Sequence, residues 1–153
     1  MKAPDFELMG VDGKRHGPAS ARGPNGLVVM FICNHCPYVK RSIDRIVSDC
    51  RTLAAQGVGS VAVMSNDPAY NIEDSFDNMK RVAREKGFPF PYVLDEAQDV
   101  ARAYDAVCTP DFYAFDASLE LRYHGRLDEL VQAMTGVPPA KPINSIGCSI
   151  KWK

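Results

Sequence analysis

Two thiols stand two residues apart in Cys33-Asn34-His35-Cys36-Pro37, directly after an apolar run over residues 27–32. Sulfurs at that spacing can cycle between dithiol and disulfide, or hold a soft metal ion. The thiolate is the reactive form, and a helix N-terminus stabilises it through unpaired N–H groups and the helix dipole. On this reading Cys33, at the strand-to-helix turn, is the exposed nucleophile. Cys36, one turn in, attacks the resulting mixed disulfide and releases the product. A protonated His35 between them favours the anion. Pro37 falls in the first helical turn, where its missing N–H costs little.

The elements that must hold these sulfurs can be read from periodicity. Residues 27–33 are the longest apolar run, which is the length of a buried strand. Over residues 39–54, Val39, Ile43, Ile46, Val47, Cys50 and Leu53 recur every three or four positions, predicting an amphipathic helix that ends at Gly57. Residues 58–64 form a second buried strand. A second helix is expected with Ile72, Phe76, Met79 and Val82 on its stripe and Gly87 at its end. Then come a strand over 92–94, a helix over 99–104, antiparallel strands over 112–115 and 119–123, and a helix over 127–134. A short hairpin around Asp12-Gly13 opens the chain, and residues 136–142, rich in Gly and Pro, form an extended tail. Strands separated by helices pair in parallel through right-handed crossovers, whereas the closing hairpin is antiparallel. The expected architecture is α/β, one domain over residues 1–153, with a mixed sheet and helices on both faces.

Size and charge narrow the partners. A chain of 153 residues can bury a core without metal or disulfide staples. With 18 basic and 19 acidic residues interspersed, it carries no electrostatic footprint for nucleic acid or anionic membrane, and neither partner is expected. No run has the length of a membrane span. Five cysteines, an odd and scattered set, do not read as a secreted disulfide framework, so the cytoplasm is the expected compartment.

Taken together, the strand–dithiol–helix unit and Thr109-Pro110 ahead of the terminal hairpin resemble the thioredoxin fold. Ala3-Pro4-Asp5-Phe6-Glu7-Leu8, the stretch around Cys33 and Cys36, Cys108-Thr109-Pro110-Asp111-Phe112, and Gly147-Cys148-Ser149-Ile150-Lys151-Trp152 resemble a peroxiredoxin-like branch of the AhpC/TSA (redoxin) family. That resemblance implies a cis-proline loop at Thr109-Pro110 facing the dithiol, with Asn34, His35 and Pro37 supporting it. It also implies a longer stretch after residues 125–128 than this chain has. The implied activity is thiol-disulfide exchange at Cys33 and Cys36, with no cofactor. The substrate would be a protein or small-molecule disulfide or a peroxide, the electron donor an unidentified thiol, and the assembly a monomer or homodimer.

The alternative is a thiol peroxidase with Cys36 as the attacking sulfur. Peroxiredoxins carry Thr-x-x-Cys-Pro and an arginine, but here Cys33 stands for the threonine and Thr109-Pro110 for the arginine, which leaves few groups to stabilise the leaving oxygen. A second alternative is a Cu(I) carrier using both sulfurs, with His35 and His124 nearby. Against thioredoxins, Ile32 replaces a tryptophan and residues 27–32 hold no buried acid, so a proton from Cys36 must pass to water or to another group. Cys50 lies on the apolar stripe and reads as core, as does Cys108. Cys148 is the candidate third redox cysteine. His16 and His124 are read as surface residues, and Trp152 as an anchor for the tail.

Overall fold

The computed structural model describes residues 1–136 and 147–153. Its elements are β1 (Leu8–Met9), β2 (Arg15–His16), α1 (Pro18–Ala21), β3 (Gly26–Phe31), α2 (Pro37–Ala55), β4 (Val58–Met64), a 3-10 turn (Ile72–Asp74), α3 (Phe76–Lys86), β5 (Tyr92–Leu94) and α4 (Asp99–Ala103). They continue with β6 (Cys108–Thr109), β7 (Asp111–Phe115), β8 (Leu121–Gly125), a second 3-10 turn (Leu127–Glu129), α5 (Leu130–Thr135) and β9 (Cys148–Ser149). The expected tail over 136–142 lies, from residue 137 on, outside the described residues.

Five strands form one mixed sheet in the order β5-β4-β3-β7-β8. The β3–β4 and β4–β5 pairs are parallel, and β3–β7 and β7–β8 antiparallel, as the crossover argument requires. The all-apolar β3 sits at the centre because both its faces need cover. Val28, Met30 and Ile32 pack with the α2 stripe, Met79 of α3 and Leu130 of α5, while Leu27, Val29 and Phe31 pack with Tyr104, Tyr113, Phe115 and Ile150 on the other face. All six apolar positions predicted for α2 are buried. Among the described residues no helix is long and apolar enough to cross a membrane.

The helix expected from Ile72 to Gly87 is instead a 3-10 turn followed by α3. Ser75 caps α3, its hydroxyl accepting from the Asn78 N–H at 3.2 Å, and Gly87 closes it at φ 62°, where a side chain would be strained. Ile72, placed on the predicted stripe, is 78% exposed. The last predicted helix likewise divides into a 3-10 turn and α5. Leu119, expected to begin a strand, lies in the turn at φ 61°, and β8 starts at Leu121.

Candidate active site

The strand carrying the dithiol ends at Phe31 and α2 begins at Pro37, so both cysteines lie in or at the end of the connection. This corrects the placement of Cys36. Cys36 is not one turn inside the helix; it is the N-cap residue, with Pro37 at the first helical position. The open N–H end of α2 therefore acts on Cys36, and Cys33 stands three residues before it. Neither sulfur is exposed: Cys33 is 2% and Cys36 0% accessible, so the expected exposed nucleophile is also corrected. A cavity of about 280 Å³ between α2 and α3, lined by Val39, Ile43, Val82 and Phe88 and rimmed by Lys40 and Arg81, reaches Cys33.

Thr109 and Pro110 face the pair as the resemblance implied, and the peptide bond between them is cis. Cys33 Sγ lies 3.4 Å from Thr109 Oγ1, and the Cys36 thiol points at the Thr109 carbonyl at 3.6 Å. Each sulfur shifts the other's thiol. The Cys33 S–H is the largest influence pulling the Cys36 thiol down to about 4, and a bond from Cys148 and the Val39 amide push the same way against the cost of burial. The Cys33 thiol moves upward, first because it is Cys36's donor and then through burial, with Asp74's charge adding to both. The two thiols are thus pushed in opposite directions, Cys36 downward and Cys33 upward.

A titration checks this assignment. A depressed pKa means that thiolate persists from neutral pH downward and is lost only as the pH falls through about 4, whereas an ordinary cysteine is already a thiol below 9.0. The ultraviolet thiolate absorbance of the wild-type protein, minus that of Cys36→Ser, should be constant across neutral pH and fall only in acid. A difference that disappears on passing below pH 9.0 would contradict it.

The acid that the strand lacks is supplied from elsewhere. Asp74, at the end of the first 3-10 turn, is wholly buried. It accepts the Asn34 N–H at 2.7 Å and the Asn66 side-chain amide at 3.2 Å, and it pairs with His35 Nδ1. Asn34 fastens the same turn: its side chain donates to the Glu73 carbonyl at 2.7 Å and accepts from the Tyr92 hydroxyl at 2.7 Å. Lys40 pairs with Glu73 at 2.8 Å on the outside. Asn34 and His35 therefore support the site by clamping a buried carboxylate beside Cys33. Sequence reasoning missed Asp74 because it read as polar padding on a helix. The available signal was Ser75, whose capping position starts α3 at Phe76 and frees Glu73-Asp74 to turn inward.

Cys33 Sγ, His35 Nδ1 and an Asp74 oxygen lie within 4.8 Å of one another, a set able in principle to hold a metal. His35 Nδ1 and both Asp74 oxygens are already engaged in hydrogen bonds, so an ion there would have to break them. A carboxylate also suits Cu(I) poorly. His124, named with the copper reading, is tied to Asp111 at 3.0 Å and stacked on Tyr113 at 4.0 Å. It is part-buried, not a surface residue, and His16 is likewise part-buried and paired with Asp12 at 2.9 Å.

Of the remaining thiols, Cys50 is buried as expected, its pKa pushed up to about 11 by desolvation. Burial raises Cys108 to about 11 as well. Cys148, on β9, reaches Cys36. Trp152 anchors the tail, lying under the Arg102 guanidinium at 4.9 Å.

Residues 1–124 match the AhpC/TSA family model. The chain belongs to the AhpC/TSA family. An uncharacterised conserved protein from Geobacillus kaustophilus is 44% identical, with 100% of this chain and 91% of that one superposed at a TM-score of 0.93. A thioredoxin-family thiol:disulfide interchange protein from Chlorobium tepidum TLS shares the fold at a TM-score of 0.67, with 24% identity over 81% of this chain and 83% of that one. The thiol-disulfide oxidoreductase ResA of Geobacillus thermodenitrificans is 28% identical over 114 residues, 74% of this chain. This AhpC/TSA chain spans 61% of that relative's length. The thioredoxin-like α/β fold expected from the sequence is therefore shown.

Proposed function

We propose that the protein is a thiol-disulfide oxidoreductase whose Cys33–Cys36 pair cycles between dithiol and disulfide. One observation carries the reading: a cysteine at a helix N-cap and a second cysteine three residues before it both lie against the cis Thr109–Pro110 loop. The names of the ResA relatives support it. The Cys36 thiolate attacks a substrate disulfide, forming a Cys36 mixed disulfide and expelling one thiolate, which takes a proton from solvent. Cys33 then gives up its proton, attacks the Cys36 sulfur, and releases the second substrate thiol as the Cys33–Cys36 disulfide closes. An external dithiol returns two electrons and two protons. The His35–Asp74 pair lies within 4.8 Å of the Cys33 sulfur, a reach that one bridging water spans in taking its proton.

The test is reduction of glutathione disulfide with dithiothreitol as electron source. Cys33→Ser should stay folded, form no Cys33–Cys36 disulfide, and turn over more slowly; unchanged turnover would reject the assignment. The second reading, hydroperoxide reduction, is favoured by the anion being on Cys36, next to Pro37. If that reading holds instead, Cys33→Ser still consumes hydroperoxide. An odd and scattered set of five cysteines, unlike a secreted disulfide framework, supports a cytoplasmic setting.

A further inference from the structure

The C-terminal strand is built onto the dithiol. β9 pairs antiparallel with β6 so that Cys148 stands opposite Thr109, and Ser149 opposite Cys108. Residues directly opposite in such a ladder project their side chains to the same face. The Thr109 hydroxyl lies against Cys33, so Cys148 is turned toward the pair and Cys108 away from it. Cys148 packs with the buried cluster that holds both site sulfurs, and Cys36 helps to hold its proton.

The residues after Cys148 fix it there. The Ile150 N–H donates to the Val107 carbonyl at 2.8 Å, and its side chain is buried on the far face of the sheet. The Lys151 N–H donates to Asn66 at 3.0 Å, the Gln98 amide to the Lys151 carbonyl at 2.8 Å, and the Lys153 N–H to Gln98 at 3.0 Å. Gly147 precedes Cys148 against the Thr109 carbonyl, where any Cβ would collide with that oxygen. Cys36 thus has two thiol neighbours, one before it in the same loop and one held over it by the C-terminal strand.

We infer that Cys148 is a second resolving thiol for Cys36, and that the Cys36–Cys148 disulfide is an oxidised state of the protein distinct from Cys33–Cys36. This rests on the oxidoreductase reading above. Starting from a Cys36 mixed disulfide, the Cys148 thiol loses its proton and attacks the Cys36 sulfur. The bond to the substrate sulfur breaks, and the departing thiolate takes up a proton as free thiol. Cys33 can then attack Cys36 in turn, which forms Cys33–Cys36 and returns Cys148 to the thiol with no net change in oxidation state. The bridge ties β9 covalently to the start of α2, so the substrate-accepting sulfur is closed until Cys33 or an external dithiol opens it.

The test uses the full chain oxidised with glutathione disulfide, followed by alkylation of free thiols, digestion and mass spectrometry. In Cys33→Ser, peptides joined through Cys36 and Cys148 should dominate. Adding Cys148→Ser should raise the Cys36–glutathione adduct roughly tenfold or more, because a thiol held in contact acts at high effective concentration. Cys33→Ala, run in parallel, guards against an effect of the serine and should give the same bridge. If Cys33→Ser and Cys33→Ala both retain glutathione on Cys36 while Cys148 alkylates freely, the inference is overturned and the oxidoreductase reading stands. If the wild-type chain forms neither Cys33–Cys36 nor a Cys36 adduct, both fall.

Discussion

Replacing Cys36 by serine should reduce disulfide turnover by about a thousandfold or more, the loss expected when the attacking group itself is removed. No other thiol in the site has the same support. Cys36 and burial push the Cys33 thiol upward, and Cys36 pushes Cys148 the same way. Unlike Cys33→Ser, whose Cys36 should still react with glutathione disulfide, Cys36→Ser should trap no adduct. Rapid-quench alkylation with glutathione disulfide reads this directly. An adduct on Cys33 in the Cys36→Ser protein would show that the first attack comes from the other sulfur. The two variants together therefore fix the order of events as well as the site.

Asp74→Ala should destabilise the fold by about 3–5 kcal/mol, because one partner is taken from a buried charged network while the others stay in place. The Asn34 N–H, His35 Nδ1 and the Asn66 amide would all lose their acceptor in a region closed to water. Urea denaturation should show a lower midpoint with an unchanged slope. A loss under about 1 kcal/mol would mean that water enters and replaces the carboxylate, and that the turn is held by Asn34 and Lys40 alone. Asp74→Asn separates position from charge. It keeps the volume and one acceptor oxygen but removes the negative charge that raises the Cys33 pKa, so the step from mixed disulfide to Cys33–Cys36 should change its pH profile. An Asp74→Asn protein with the wild-type profile would leave Asp74 a purely structural role.

The buried stripe of α2, the buried strand β3 and the antiparallel closing hairpin were all legible in the sequence. Each comes from a pattern over neighbouring residues: spacing of three and four, an unbroken apolar run, or two strands joined by a short turn. The dithiol and its facing Thr109-Pro110 were legible as well, through motif and resemblance. The misread elements failed at boundaries. The Ile72–Gly87 pattern is compatible with one continuous helix, and only the Ser75 cap and the inward turn of Asp74 against Asn34 show where it breaks.

The amino-acid order alone thus determined which residues form the sheet, which face of α2 is buried, and that two sulfurs stand together after the first central strand. Three matters were left to the tertiary structure: that Cys36 rather than Cys33 caps the helix, that an acid from a distant turn lies beside the pair, and that Cys148 packs against it. The reason is the range of the forces. Hydrophobic periodicity is written in adjacent positions. A thiol's charge is set by whichever donors, carbonyls and carboxylates surround it, and here they come from Asp74, Thr109 and Cys148, segments that become neighbours of the dithiol only when the chain folds.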